Sequence, residues 1–370
     1  MLHTANPRAS YLALKTEIDA AIQAVLQGSS YVLGPLVEDF ERRFADYIGV
    51  GHGIGVNSGS DALHLALRGL GVGPGDEVIT VSHTAVATVA AIEMAGAAPV
   101  LVDVDPDWRT IDPAAVEAHI GPATRAVVAV HLYGHPARLD ALRELCTRRG
   151  LLLLEDCAQA HGARWGDRRT GSGGDAGVFS FYPTKNLGGV GDGGMVVTQD
   201  DALAQRIRRL RQYGWDTPQQ SLVPGWNTRL DTLQAAVLAV KLAHLDAQNN
   251  ARRQLAAGYG EGLRDLPLRL PAEQAGCHPV YHLYVVETED GPTREALRAH
   301  LLAANIAAGI HYPTPVHRQP AYAGRLRCGP LPVTERLAAT VLSLPLYPEL
   351  EPGEQALVID GIRAFFRGRR

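Results

Sequence analysis

Lys185 is the residue on which chemistry is most readily built. It sits in VFSFYPTKNLGGVGDGGM, residues 178–195, between an apolar run and a turn containing five glycines. A lysine is ordinarily a solvated surface cation. Here it follows Phe179, Phe181, Tyr182 and Pro183 and precedes glycines that let backbone crowd against a ligand. Burial in such a place lowers the pKa of an ammonium and yields the neutral amine that Schiff-base chemistry requires. A loop lysine following a buried strand is the alternative, and this stretch alone does not separate the two.

Two other stretches carry complementary groups. Residues 51–67 (GHGIGVNSGSDALHLAL) read as a short strand, a tight turn and a helix whose first turn holds Ser60 and Asp61. Free backbone N–H groups at a helix start form an anion site, and Gly59 allows a phosphate to approach closely. The same residues would also serve as a simple N-cap. No G-x-G-x-x-G opens a helix here, and no G-x-x-x-x-G-K-[ST] occurs in the chain. Residues 151–161 (LLLLEDCAQAH) place Asp156 at the end of an apolar run, with Gln159 and His161 just beyond. A carboxylate beside so much buried surface is costly unless it meets a cation such as a protonated ring nitrogen; the alternative is that it caps the following turn. Taken together, an amine, a carboxylate and an anion cradle match the aldehyde, pyridine nitrogen and phosphate of pyridoxal phosphate.

The elements that must position these groups alternate regularly. Strand-like runs fall at 77–81, 99–103, 126–131, 151–155, 177–181 and 195–198, and helical patterns at about 86–95, 113–119, 137–149 and 200–212 separate several of them. Apolar strands alternating with helices indicate a mostly parallel sheet covered on both faces, with ligands at the carboxyl ends of the strands. Helices are also expected at 16–27 and about 36–48, before the sheet. A long helix from residue 232 leads to a smaller α+β unit. That unit has a strand at 280–286, helices at about 293–305 and 353–367, and strand-like segments at 310–312 and 341–344. The division is expected near residue 245, giving a cofactor-binding domain of residues 1–245 and a small domain of residues 246–370. The chain has 370 residues, 46% of them hydrophobic and 20% charged, which is an ordinary globular composition able to bury a large core. A net charge of -4 gives no footprint for nucleic acid or an anionic membrane, so a small molecule is the expected partner. The four cysteines are scattered without a C-x-x-C pair. His311 and His317 flank prolines in an irregular loop, and no metal site is expected. The start of the chain lacks a basic segment followed by an apolar one, and a cytoplasmic protein is expected.

The chain resembles the sugar aminotransferases of the DegT/DnrJ/EryC1/StrS group. The stretches that carry the resemblance are NSGSDAL at 57–63, GPGDEVIT at 73–80, EDCAQAHG at 155–162, FSFYPTKNLG at 179–188, GWNTRLD at 225–231 and HYPTPVH at 311–317. Each is a weak pattern, whereas six in this order, spanning nearly the whole chain, are specific. The resemblance implies an α/β, aspartate-aminotransferase-like fold (PLP fold type I), with a mostly parallel central sheet, helices on both faces and a smaller C-terminal α+β domain. It implies that Lys185 is the Schiff-base lysine and proton carrier, that Asp156 pairs with the pyridine nitrogen, and that Gln159 contacts the ring near its 3-hydroxyl. Gly59, Ser60 and Ser180 would bind the phosphate. Asn227 would reach the phosphate of the neighbouring subunit, since relatives resemble one another in being homodimers with shared active sites. Many relatives stack an aromatic residue on the cofactor ring from the stretch matching 82–86; here Ala85 stands there and His83 is the candidate. Arg229, Tyr312 and His317 would border the sugar site. The implied reaction moves an amino group from an amino acid, L-glutamate by resemblance, to a keto group of a nucleotide-linked deoxyhexose, with C3 favoured over C4. A few relatives replace the lysine with histidine and dehydrate sugars, which Lys185 argues against; a pyridoxal-phosphate-binding regulatory protein without turnover is the other alternative.

Overall fold

The computed structural model describes residues 1–369. Seven strands in sequence order make up most of the central sheet: β1 (His52–Val56), β2 (Glu77–Val81), β3 (Ala98–Val102), β4 (Thr124–Val130), β5 (Leu152–Asp156), β6 (Ala176–Ser180) and β7 (Gly194–Thr198). Among the strands that follow are those labelled β8 (Tyr284–Glu287), the short β9 (Arg327–Cys328) and β10 (Val341–Leu344). The eight-stranded sheet has the order β1-β7-β6-β5-β4-β2-β3-β9. Its middle, from β6 through β5, β4, β2 and β3 to β9, is parallel. The β7 strand runs antiparallel to both β6 and β1. The expected α/β architecture with a mostly parallel sheet is therefore present, with one reversed strand that periodicity could not identify.

Side chains alternate along β5. Leu154 packs with Val56, Leu63, Val78 and Val178 in a core shared with the Gly59–Gly69 helix. On the opposite face Leu153 packs with Ile79, Val81, Leu142 and Leu145. The alternation continues through the last two residues, so Asp156 points to the Leu154 face and Glu155 to the Leu153 face. A third core beside β6 and β7 buries Phe179, Phe181 and Met195 against the Pro35–Ile48 helix and the first half of the Thr232–Leu263 helix. That long helix serves two cores: Leu238 and Leu245 belong to this one, whereas Tyr259 and Leu263 pack with Tyr284, Leu301, Leu344 and Ile362 in the C-terminal unit.

The expected helices at 16–27, 36–48, 293–305 and 353–367 are Lys15–Gln27, Pro35–Ile48, Gly291–Ala303 and Pro352–Arg367. The strand expected at 280–286 is shorter and starts at Tyr284. Tyr281 has a left-handed φ of 44°, and the Val280 and Leu283 N–H groups bond to the Gly134 and Tyr133 carbonyls rather than to a ladder. The strand-like 310–312 segment forms no strand; the residue before it, Gly309, makes an isolated bridge to Ser343. Among the described residues no helix is long and apolar enough to cross a membrane.

Glu155 is fully buried, and four donors converge on it. Its Oε1 accepts the Gly173 and Gly174 N–H groups at 2.7 Å each, and Oε2 accepts the Gly171 N–H at 2.9 Å. His131 Nε2 lies 2.9 Å from Oε2, and because His131 Nδ1 accepts the Ala137 N–H, Nε2 carries the proton and donates. Burial alone would push this carboxyl up, but the His131 hydrogen bond and the backbone donors hold it below the usual carboxylate value. The bonds tie the end of β4 to the loop that feeds β6. A depressed pKa contributes stability above the unfolded value and loses it as the pH falls through the folded one. Glu155→Gln puts an NH2 group among these donors and is expected to cost about 2–4 kcal/mol at neutral pH. Urea denaturation should read that loss and show it shrinking below about pH 4; equal stability at pH 7 would refute the role.

Candidate active site

The site forms where the ends of three strands come level. Val56 at the end of β1 and Ser180 at the end of β6 both pair with Gly194 at the start of β7. Asp156 ends β5 opposite Val178, two residues short of Ser180. Close packing here admits only glycine at two positions. A Cβ on Gly59 would lie 2.6 Å from the Ser180 Cβ, and one on Gly194 would lie 2.2 Å from the Ser58 carbonyl oxygen.

This packing brings the start of the Gly59–Gly69 helix to the end of β6. Ser58 caps the helix by accepting the Asp61 N–H at 3.1 Å, which leaves the Gly59 and Ser60 N–H groups without acceptors in the helix. Asp61 in turn accepts the Thr228 hydroxyl at 2.9 Å, and that hydroxyl accepts the Asn57 N–H. Gly59, Ser60, Asp156, Gln159, Ser180 and Lys185 all line one cavity of about 250 Å3. Thr84, Ala85, Ala87, Thr88, Ala158 and Asp192 complete much of its wall.

Asp156 is buried and accepts the Ala158 N–H through Oδ1 at 3.1 Å and the Thr88 hydroxyl through Oδ2 at 2.9 Å. It thus caps its turn and faces the cavity at once. Burial raises its carboxyl pKa, opposed by those two hydrogen bonds and by the nearby charge of Lys185. Lys185 is pushed down to about 8 by burial, partly countered by Asp156. Burial, and then the charge of Lys185, hold His161 near 3, His311 near 4 and His282 well below its ordinary value. At neutral pH the lysine is surrounded by uncharged imidazoles. Gln159 is locked, with Oε1 accepting the Tyr133 N–H at 2.7 Å and Nε2 donating to the Tyr312 hydroxyl at 3.0 Å.

The other expected site residues lie outside the cavity wall. Tyr312 is one hydrogen bond away, through Gln159. His83 is buried, with Nε2 2.7 Å from the Tyr133 hydroxyl, and Ala85 occupies the wall instead. His317 is held by the Ser82 hydroxyl at 2.7 Å and Glu335 at 3.2 Å, which fastens its loop to the end of β2. Asn227 is exposed on a loop bridged to Gln212, and Arg229 is half-buried on the same loop. Sequence reasoning missed Thr84, Thr88, Tyr133 and Thr228. Thr84 and Thr88 had a usable signal, hydroxyls four residues apart at a strand-to-helix turn; the others act only through tertiary contacts.

Fold and site together define an α/β enzyme whose pocket complements a phosphate at one end, a ring nitrogen at another and a carbonyl carbon beside an amine. Pyridoxal phosphate fits this donor set. The chain belongs to the DegT/DnrJ/EryC1/StrS aminotransferase family, matched over residues 13–363. It is 52% identical over 358 residues to the dTDP-3-amino-3,4,6-trideoxy-alpha-D-glucose transaminase of Streptomyces venezuelae, covering 96% of this chain and 94% of that one. It is 50% identical to the erythromycin biosynthesis sensory transduction protein EryC1 of Saccharopolyspora erythraea, over 96% of this chain and 97% of the relative. The crystal structure of S. venezuelae DesV with a ketimine intermediate superposes with a TM-score of 0.96 at 51% identity, covering 98% of each chain.

The depressed pKa of Lys185 has a direct readout in the cofactor-free chain. Labelling of its amine by an acylating reagent, followed by peptide mass spectrometry, should be half-maximal near pH 8. A midpoint near that of a free lysine, roughly 10.4, would contradict the burial argument.

Proposed function

We propose that the enzyme transfers an amino group from L-glutamate to the C3 keto group of a nucleotide-linked deoxyhexose, using pyridoxal phosphate. The observation that carries this reading is the convergence of Lys185, Asp156 and the Gly59–Ser60 amides on one cavity. The Streptomyces relative named for a 3-amino sugar supports the position of amination.

The cofactor, when bound, supplies an electron sink for the carbanion formed at the donor's α-carbon. Gly59 and Ser60 N–H groups and the Ser60 and Ser180 hydroxyls would hold the phosphate. Asp156 would accept the ring N–H, and Gln159 would have its remaining amide proton free for the ring's 3-hydroxyl. Lys185 would be the amine that anchors the aldehyde with loss of water, and its neutral Nζ, once freed by the donor amine, would hold and return the donor's α-proton. A lysine with a pKa near 8 presents roughly 300-fold more neutral amine at pH 7 than one at 10.5. The same lysine serves both half-reactions, and ping-pong kinetics follow.

Residues 1–245 would form the cofactor domain and residues 246–370 the small domain, and Tyr312, His317 and Arg229 would border the sugar site. We assign Asn227 to the phosphate of a partner subunit in a homodimer. In support, it is exposed outside its own cavity, and its loop borders uncovered apolar side chains: Trp226 and Leu222 beside it, and Tyr31 and Val32, whose backbone pairs with residues 231–232. A charged nucleotide sugar as substrate accords with the cytoplasmic setting expected from the sequence.

The test is a panel of 3-keto and 4-keto nucleotide deoxyhexoses incubated with the purified protein and glutamate. 2-Oxoglutarate should appear with the 3-keto sugars. Turnover with 4-keto sugars alone would move the position of amination. No keto acid from any amino acid would leave a cofactor-binding regulatory protein, the reading suggested by the name of the EryC1 relative. Lys185→Ala should abolish covalent retention of the cofactor after borohydride reduction and lower turnover by about 1,000-fold or more. Turnover that survives this substitution would overturn the role of Lys185.

A further inference from the structure

Asp156 can answer a ring nitrogen only if its carboxylate stays charged and keeps one orientation, although it is buried at the end of β5. Two threonines to which no role has been given supply the means. Thr88 Oγ1 lies 2.9 Å from Asp156 Oδ2 and 3.1 Å from Thr84 Oγ1. A hydroxyl has one proton, and a carboxylate can only accept. The proton of Thr88 therefore goes to Asp156, and Thr84 must donate to Thr88. The result is a directional chain, Thr84 to Thr88 to Asp156, in which each donor polarises the next. All three side chains are buried, so water does not compete for these bonds.

We propose that Thr88, backed by Thr84, is a positioning residue that fixes the plane of the Asp156 carboxylate and donates to its charged form, so that one lone pair is aimed at the cofactor's ring nitrogen. The inference rests on the assignment of Asp156 above. Ala158 holds Oδ1 from the turn after β5, and Thr88 holds Oδ2 from the Val86–Met94 helix. Donors on two separate elements stop the carboxylate from rotating. Each oxygen still has an unused lone-pair direction. The other ionisable groups around Asp156 are accounted for. Lys185 favours its charge, His131 donates to Glu155 instead, and Tyr312 faces it as a neutral phenol held up near 12. Glu155 turns to the opposite face and is occupied by His131 and glycine N–H groups, and Cys157 remains a buried thiol. Thr88 is thus the one neutral side chain that hydrogen-bonds the Asp156 carboxylate, and it touches neither the phosphate cup nor Lys185 by any hydrogen bond among the described residues.

The test compares the affinity of the cofactor-free full chain for pyridoxal phosphate and for its 1-deaza analogue, in which carbon replaces the ring nitrogen. The parent should prefer pyridoxal phosphate. Thr88→Val, nearly the same shape without the hydroxyl, should cut that preference by roughly 10-fold or more, as expected for one hydrogen bond to a charged group, and leave the analogue's affinity almost unchanged. Thr88→Ser should restore the preference, and Thr84→Val should give a smaller loss. In an Asp156→Asn background Thr88→Val should add nothing. The inference is overturned if Thr88→Val keeps the preference, or weakens both probes equally, as a purely structural residue would. If Asp156→Asn itself keeps the preference, the assignment of Asp156 falls and this inference with it; if Asp156→Asn loses it while Thr88→Val does not, the inference alone falls.

Discussion

Two consecutive carboxylates end β5, and both are buried, on opposite faces of one sheet. An unmatched buried charge costs several kcal/mol, so the chain must answer each of them. Glu155 is answered completely from within: four donors fill it, and they join β4 to the loop entering β6. Asp156 has one amide and one hydroxyl. Adjacent residues of nearly identical chemistry thus divide into a structural group and a receptive one. The division is set by how many donors reach each face, and the period of two along a strand puts them on different faces.

The same economy of polar groups shapes the surroundings of Lys185. The imidazoles within reach of its charge, His161, His282 and His311, are kept uncharged by burial, so the amine meets one opposite charge, Asp156, and no competing cation from the histidines. A lysine left in a wetter or more acidic pocket would stay protonated and could not act as a nucleophile. The aromatic cluster behind β6, with Phe44 edge-on to Phe179 at 4.9 Å and to Phe181 at 5.5 Å, keeps that environment dry.

Much of the site was legible because its groups are local. Lys185, Ser180 and the glycines share one stretch, and Asp156 and Gln159 share another. The Gly59–Ser60 turn announces itself by residue type. The parallel sheet was readable from apolar runs alternating with helices, yet the reversal of β7 was not, since direction leaves no mark on periodicity. Tyr281 shows a second limit: with its left-handed backbone, the first four residues of an apolar run that reads as a strand stay outside it. Tyr133 and Thr228 could not be found by pattern. Each matters only because a distant segment arrives beside it, Gln159 in one case and Asp61 in the other.

His83 was the candidate for stacking, but its ring is turned away and bonded to Tyr133, whose hydroxyl donates to the His311 carbonyl. Since the tyrosine proton is spent on that carbonyl, His83 must donate through Nε2, and its imidazole is fixed as part of the scaffold under the 311–317 loop. The wall it leaves is made of Ala85, Ala87 and Ala158. Those small side chains offer contact area but no aromatic face, so under the proposed function much of the grip on a planar cofactor would come from its edges: the phosphate cup, the Asp156 carboxylate, the Gln159 amide and the Lys185 amine. Edge contacts are directional, and they tolerate little movement in the groups that make them. That explains why so much of the buried hydrogen bonding around this cavity is spent on holding side chains still rather than on reaching a ligand.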